Sequence, residues 1–253
     1  MPELSRDTQA PGLPLAGPLY KDVKRRLTEA LTSGEWKPGD AIPAERLLSG
    51  RFGASIGTIR RAIDELVAEN ILIRQQGRGT YVASHNRDRM LFYFFHIVDE
   101  QGTKRYPEVE LLAFARARAD RAAAQHLGLA VGDAVYRIRN RLSLAGTPVI
   151  IDDITLPVAL FPGLTERQFR HRTSTIYNLY QEAFGISIVR ASERLRATVA
   201  DAETASLLSL APDSPLLRIR RIALSYNEAP IELRISLVDT SRYEYFADIG
   251  KPS

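Results

Sequence analysis

Apolar residues recur three or four positions apart through Val23, Leu27, Ala30 and Leu31, and again through Ile59, Ala62, Ile63, Leu66 and Val67. That spacing puts each set on one helical face. Pro18 opens the first helix, Gly34 closes it, and Trp36 lies just beyond, in keeping with ordinary helix punctuation. After the loop Lys37-Pro38-Gly39-Asp40, Pro43 starts a short helix. Phe52-Gly53 turns the chain, and Ser55 is placed to cap the second amphipathic helix, which Asn70 ends. From Ile71 the period changes to two. Ile71–Arg74 and Thr80–Val82 alternate as strands around the glycine-rich turn Gln75–Gly79. Helix, turn, helix and hairpin in this order predict a winged helix-turn-helix over 20–83, within a first domain of 18–84.

Residues 85–90 are polar and break the periodicity, which places a linker there; residues 1–17, with three prolines, read as a mobile leader. Beyond the linker, strand-like alternation covers 91–98, 109–118, 134–143, 148–156, 188–198, 216–225 and 231–238, with helical stretches at 121–127, 176–184 and 202–208. Strands joined by short hairpins, with helices set apart, predict an α+β domain over 91–249 with a mainly antiparallel sheet. An internal repeat supports this. Arg116–Ala130, Val135–Arg139 and Thr147-Pro148-Val149 recur as Arg196–Ala211, Leu216–Arg220 and Ala229-Pro230-Ile231, offset by 81 residues before the hairpin and 82 after it. The period is too long for a solenoid, so it marks a strand-helix-hairpin unit used twice in one sheet. The cleft between two such halves is a natural ligand site.

The face opposite the apolar stripe of the second helix presents Ile56, Gly57, Thr58, Arg60, Arg61 and Asp64. A recognition helix enters the major groove with its first two turns, so 55–61 are candidates for base edges and phosphates. Arg46 on the preceding helix and Gln76, Gly77 and Arg78 at the hairpin tip are placed to join them. The plain alternative is a solvated basic face. A capped turn, a second helix and a basic hairpin in the right order argue against it. The net charge of +4 is modest, but residues 16–84 hold 11 Lys and Arg against 8 Asp and Glu, so the excess sits mainly on the proposed DNA-binding domain. Phosphate contacts of this kind weaken as salt rises.

Composition removes several function classes. With no cysteine, disulfides and thiolate metal sites are out. The four histidines, His85, His96, His126 and His171, form no spaced metal set, and no Gly-x-Ser-x-Gly nucleophile motif occurs. No metal, no cofactor and no catalysis are expected. No apolar run approaches the roughly 18 residues a bilayer needs, and the N-terminus lacks a basic region followed by an apolar stretch. The expectation is a cytoplasmic protein without a signal peptide.

Residues 20–83 closely resemble the DNA-binding domain of the GntR family of bacterial transcription regulators. The resemblance rests on Leu19-Tyr20, Gly34-Glu35-Trp36-Lys37-Pro38-Gly39-Asp40, Ile42-Pro43-Ala44-Glu45-Arg46, Phe52-Gly53-Ala54-Ser55, Thr58-Ile59-Arg60 and Arg74–Val82. It implies phosphate and base contacts from Arg46, Ser55, Thr58, Arg60 and Gln76-Gly77. One departure matters: where the family usually has a guanine-reading arginine after the capping residue, this chain has Ile56. Isoleucine offers only apolar contact, for instance to a thymine methyl.

Residues 90–249 resemble the UTRA effector-binding domain of the HutC-type branch, which is similar in fold to chorismate lyase. Gly146-Thr147-Pro148-Val149, Leu156-Pro157, Phe161-Pro162-Gly163-Leu164, Thr175–Tyr180 with Gly185, Leu207-Leu208, Arg221, Pro230-Ile231-Glu232 and Arg242-Tyr243 carry the match. The family's acidic residue before that last pair is Ser241 here. The resemblance implies a homodimer, a small effector, and operator DNA affinity that changes when the effector binds; a repressor is the commoner role. On the strand 135–143, Tyr136, Ile138 and Leu142 face one way and Arg137, Arg139, Arg141 and Ser143 the other. The arginine face is either solvated or the floor of an anion site. By resemblance this strand and the next line the pocket, so Arg139, Arg141, Thr175 and Tyr177 are expected to hold phosphate or carboxylate, with Asp152 or Glu232 taking hydroxyl or amino groups and Arg234 and Tyr243 closing the corner. The family's basic pair also aligns with Asn140 and Leu142, which would change the pocket chemistry. Two other readings stay open: a second domain that only dimerises the protein, and an enzyme of chorismate-lyase-like fold.

Overall fold

A computed structural model of the chain describes residues 18–85 and 93–248. The expected leader, the expected linker apart from His85, and the first two residues of the expected strand at 91–98 lie outside the described residues. Helices α1 (Leu19–Thr32), α2 (Glu45–Phe52) and α3 (Ile56–Ala68) stand where the periodicity places them. Gly53 closes α2 in the left-handed region at φ +62. The Ser55 hydroxyl accepts the Thr58 N–H at 3.2 Å, so α3 starts directly after the turn. Val23, Leu27, Leu48, Ile59, Ile63 and Leu66 meet in one core with Trp36 and Ile42, closed by Leu72 and Val82. Each such aliphatic side chain contributes about 1.5–3 kcal/mol by burial. Strands β1 (Leu72–Gln75) and β2 (Gly79–Val82) pair antiparallel. Their turn uses Gly77 at φ +72 and Gly79 at φ +114, where a Cβ is disfavoured.

The remaining elements are β3 (Ile97–Asp99), β4 (Glu108–Arg118), α4 (Arg121–Leu127), β5 (Ala134–Leu144), β6 (Thr147–Pro157), α5 (Glu166–Arg170), α6 (Ile176–Phe184), β7 (Arg190–Val199), α7 (Ala202–Leu208), β8 (Pro215–Leu224), β9 (Pro230–Val238) and β10 (Tyr243–Tyr245). Six of these strands form one antiparallel sheet in the order β4-β5-β6-β9-β8-β7, while β3 pairs with β10. The repeat units β4-α4-β5-β6 and β7-α7-β8-β9 therefore fill opposite halves, meeting where β6 pairs with β9. Positions 81 or 82 apart become symmetry mates: Asn140 with Arg221, and Asp152 with Arg234.

Helices α4 and α7 cover one face of the sheet through Ala123, Leu127, Ala205 and Leu208. Phe161, Phe169, Ile176, Tyr177 and Tyr180 cover part of the other, against Tyr136, Ile138, Ile154 and Leu156. Two details differ from the periodicity reading. The strand expected to run to Val98 begins only at Ile97, because Phe94 instead packs its ring edge-on against Tyr177, centroids 5.1 Å apart. Helix α5 is only five residues long, too short to show a period, although its Thr165/Gln168 capping box is a local signal.

Candidate functional site

The first candidate surface is the exposed side of α3 with α2 and the β1–β2 turn. Ile56 is 44% exposed on the first turn of α3; Arg60 and Arg61 are also exposed, and Thr58 is half-buried. Both Arg60 Nε and Nη2 donate to Glu45 on α2, with Nη2 2.7 Å from Oε2. That guanidinium holds the Glu45 carboxyl below the usual range. Arg61 instead lies over the Tyr20 ring at 4.0 Å. Arg46, Gln76, Gly77 and Arg78 are exposed, and among the described residues neither Arg46 nor Arg78 forms an ion pair. These elements thus present cations, hydroxyls and the apolar side chain of Ile56 to solvent, mounted on one buried core.

The second candidate is a cavity over the sheet face opposite α4 and α7, with roughly 800 Å³ of empty space, part of it continuous with solvent. Cross-strand register builds its floor. Asn140, Asp152, Ser236 and Ile219 form one row across β5, β6, β9 and β8; Leu142, Ile150 and Val238 begin the next, and Arg234 and Arg221 end a third. Residues Phe95, Ile97, Tyr106, Arg172, Thr175, Ile176 and Tyr245 supply walls. Among the expected effector residues, Asp152, Thr175 and Arg234 line this cavity. Tyr177 and Glu232 are buried but outside its lining, and Tyr243 donates to the Leu144 carbonyl at 3.3 Å, also outside the lining.

Arg139 and Arg141 are not brought to this cavity. The alternation along β5 holds, but the arginine face is the one under α7: Arg139 pairs with Asp153 and Glu203, and Arg141 with Glu110. The inward positions are Asn140 and Leu142. Arg172, Arg221, Ser236 and Tyr245 join the lining without having been anticipated from their chemistry; Arg221 was visible only as a family mark, and Arg172 lies in a loop, where no period points to it.

Ion pairs hold the floor together. Arg234 donates to Glu232 from Nε at 2.9 Å and Nη2 at 3.2 Å, and to Asp152 from Nη1 at 3.1 Å. Ser236 Oγ donates to Asp152 at 2.5 Å, and the Tyr180 hydroxyl to Glu232 at 2.7 Å. Burial alone would loosen the Arg234 proton, but Glu232 and Asp152 outweigh it and hold its pKa well above the ordinary value. Burial, aided by the Glu232 charge, pushes the Tyr177 hydroxyl up to about 12. On the other side Arg221 donates to Glu193 at 2.5 Å and to the Phe94 carbonyl, while Tyr245 donates to the second Glu193 oxygen.

Helix α6 links the two candidate sites. Thr175, which caps it by accepting the Asn178 N–H at 3.0 Å, and Ile176 line the cavity. About two turns on, Gln181 accepts the His85 N–H at 2.8 Å and donates to the Ala83 carbonyl at 3.4 Å and to Ser187 Oγ at 2.8 Å. The Ile188 N–H completes the clasp by donating to His85 Nε2 at 3.0 Å. Tyr226 and Val189 pack directly on the N-terminal core.

Comparison with known proteins agrees with this arrangement. Residues 19–82 match the bacterial regulatory proteins of the gntR family, and residues 102–244 match the UTRA domain. The chain is 30% identical over 204 residues to the mannosyl-D-glycerate transport/metabolism system repressor MngR of Escherichia coli, covering 79% of this chain and 82% of that one. It is 31% identical over 234 residues to the histidine utilization repressor of Klebsiella aerogenes, covering 92% and 95%. A solved ligand-binding domain from Bordetella bronchiseptica, attributed to a GntR-family transcriptional regulator, superposes with a TM-score of 0.60 at 35% identity, covering 63% of this chain and 99% of that domain. The chain belongs to the GntR family of bacterial transcription regulators, in the HutC-type branch that joins a winged helix-turn-helix to a UTRA domain.

Proposed function

We propose that this regulator is a cytoplasmic homodimeric repressor, without enzymatic activity, that leaves its operator when a small anionic metabolite fills the cavity. Residues 18–84 form its DNA-binding domain and 91–249 its effector-binding and dimerisation domain. Arg46, Ser55, Thr58, Arg60, Arg61, Gln76, Gly77 and Arg78 meet phosphates and base edges, and Ile56 meets an apolar base edge. The observation that carries the reading is the α6 connection: the element that borders the cavity at its start clasps His85, just past the wing, through Gln181. Filling the cavity can then bias the position of the winged helix. A coupling of this kind is typically 1–3 kcal/mol, and operator DNA must weaken effector binding by the same factor. Chorismate-lyase-like architecture does not bring lyase chemistry with it, because function resides in the site.

The test is selection of DNA from a random library by the full chain, with sedimentation of the complex. Two inverted half-sites bound by two copies of the chain, with affinity falling steeply as salt rises, is the expected result. An undivided site bound by one copy would overturn the dimer reading. Absence of enrichment would overturn the DNA face.

A further inference from the structure

Among the described residues three guanidinium groups border the cavity, and they are not equivalent. Arg221 is matched by Glu193, and Arg234 by Asp152 and Glu232. Arg172 has no carboxylate partner among the described residues. Its Nη1 donates to the Phe169 carbonyl at 2.6 Å, its guanidinium lies 4.8 Å from the Phe169 ring centroid, and its Nε is buried without a hydrogen-bond partner. A second buried atom also has no hydrogen-bond partner among the described residues: Oδ1 of Asn140, a residue only 3% exposed on the cavity floor. Buried polar atoms are almost always paired, so each exception asks for a partner. One is a donor on a cation and the other an acceptor. Most of the remaining surface is apolar, formed by Phe95, Ile97, Leu142, Ile150, Ile219 and Val238, with the hydroxyls of Thr175 and Ser236 beside it.

Resting on the reading of this cavity as the effector site, we propose that its ligand is a monocarboxylate with an apolar or aromatic body and one N–H or O–H donor, rather than a phosphorylated sugar. The carboxylate pairs with Arg172, and the donor meets Asn140 Oδ1. The pairing pattern supports a single negative charge on the ligand. Asp152, Glu193 and Glu232 are already engaged by Arg221 and Arg234, so a phosphate dianion would bring two negative charges to the one bordering guanidinium that has no carboxylate partner among the described residues. The apolar part of the lining favours a ligand with an apolar body, since a sugar hydroxyl buried against it would give up its hydrogen bond to water.

The experiment uses the full chain and calorimetric titration with 4-hydroxyphenylacetate, phenylacetate, indole-3-acetate and hexanoate, against glucose 6-phosphate and glucosamine 6-phosphate. Expected is binding by at least one carboxylate carrying a donor, tighter than by phenylacetate, and none by the phosphosugars. Arg172→Gln should weaken that binding roughly tenfold or more, the worth of a charge-assisted contact. Asn140→Leu should remove the preference of 4-hydroxyphenylacetate over phenylacetate. Circular dichroism keeps a variant that fails to fold from counting. Tighter binding of a phosphosugar, no binding by any carboxylate, or carboxylate binding indifferent to Arg172→Gln each overturns the ligand class. The effector reading fails separately: a carboxylate that binds through Arg172 yet leaves operator affinity unchanged refutes that reading while the ligand class stands.

Discussion

On the recognition face, Arg60 and Glu45 meet in water, with the arginine side chain 59% exposed; in the cavity floor, Arg234 and Glu232 meet where the carboxylate side chain is wholly buried. Both are arginine–carboxylate pairs with two donor nitrogens on one acid. Their consequences are opposite. In high dielectric the pair gains little and can be exchanged for a phosphate, whereas a buried pair leaves an uncompensated charge if one member is lost. A DNA-binding surface has to surrender its internal partners to a polyanion. A cavity floor has to keep its own when the ligand comes and goes. This contrast separates residues that touch the partner from residues that hold the site's shape, even though both sets are charged.

The strongest way to break the contrast is Arg234→Ala. It strands Asp152 and Glu232 together in the interior, and the expected loss is about 3–5 kcal/mol, read as a lower denaturant midpoint in urea unfolding. A loss below about 1 kcal/mol would mean that the floor is wet and that the two pairs are alike after all. The recognition face is sharpened by Ile56→Arg. A bidentate arginine contact adds about 1–3 kcal/mol of discrimination for guanine, so the selected operator should change at one position in each half-site while folding stability stays put. An unmoved profile means that Ile56 does not face the bases.

A smaller effect belongs to Glu193. Burial would raise its carboxyl, but Arg221 and the Tyr245 hydroxyl outweigh burial and leave it below its usual 4.5. A depressed carboxyl adds stability that is fully present above the unfolded value and is lost as pH falls through the folded one. The stability advantage of the native chain over Glu193→Gln should therefore hold at pH 7 and shrink once the pH drops below that 4.5. Denaturant titrations across that window check it; a difference that does not vary with pH removes Glu193 from the charged network.

How far each site was legible follows from the range of the forces that build it. Ser55 capping α3, Gly53 turning the chain and the buried face through Ile59, Ala62, Ile63 and Leu66 are events within a turn or two, and short-range patterning exposes them. Even there the Arg60–Glu45 pair, spanning 15 residues across the turn, left no periodic signal. The second domain showed its elements and its repeat, because alternation along β5 and the 81-residue offset are also visible in one dimension. Which face of β5 carries the cavity was not visible. That depends on α7 packing over Arg139 and on α6 lying across the other side, and a period of two gives no sign of either. The ion pair between the symmetry mates Asp152 and Arg234 needed the β6–β9 register, which joins strands more than 70 residues apart.

The smallest expected effect is also the sharpest discriminator between the two regions. Glu45 sits on α2 within the recognition face and occupies Arg60 through two nitrogens, with Arg74 another 3.6 Å away. An exposed pair of this sort is worth about 0.2–1 kcal/mol, so Glu45→Gln should barely change the unfolding midpoint. Removing the carboxylate does two things for DNA. It takes a negative charge off a surface that must approach phosphates, and it releases the Arg60 guanidinium from a bond that must otherwise break before it can bind one. Operator affinity should therefore rise modestly, and the slope of log affinity against log salt should steepen by no more than about one unit, the share of a single added phosphate contact. If Glu45→Gln instead lowers affinity, the carboxylate is orienting Arg60 for the DNA, and the exposed pair holds shape as the buried one does.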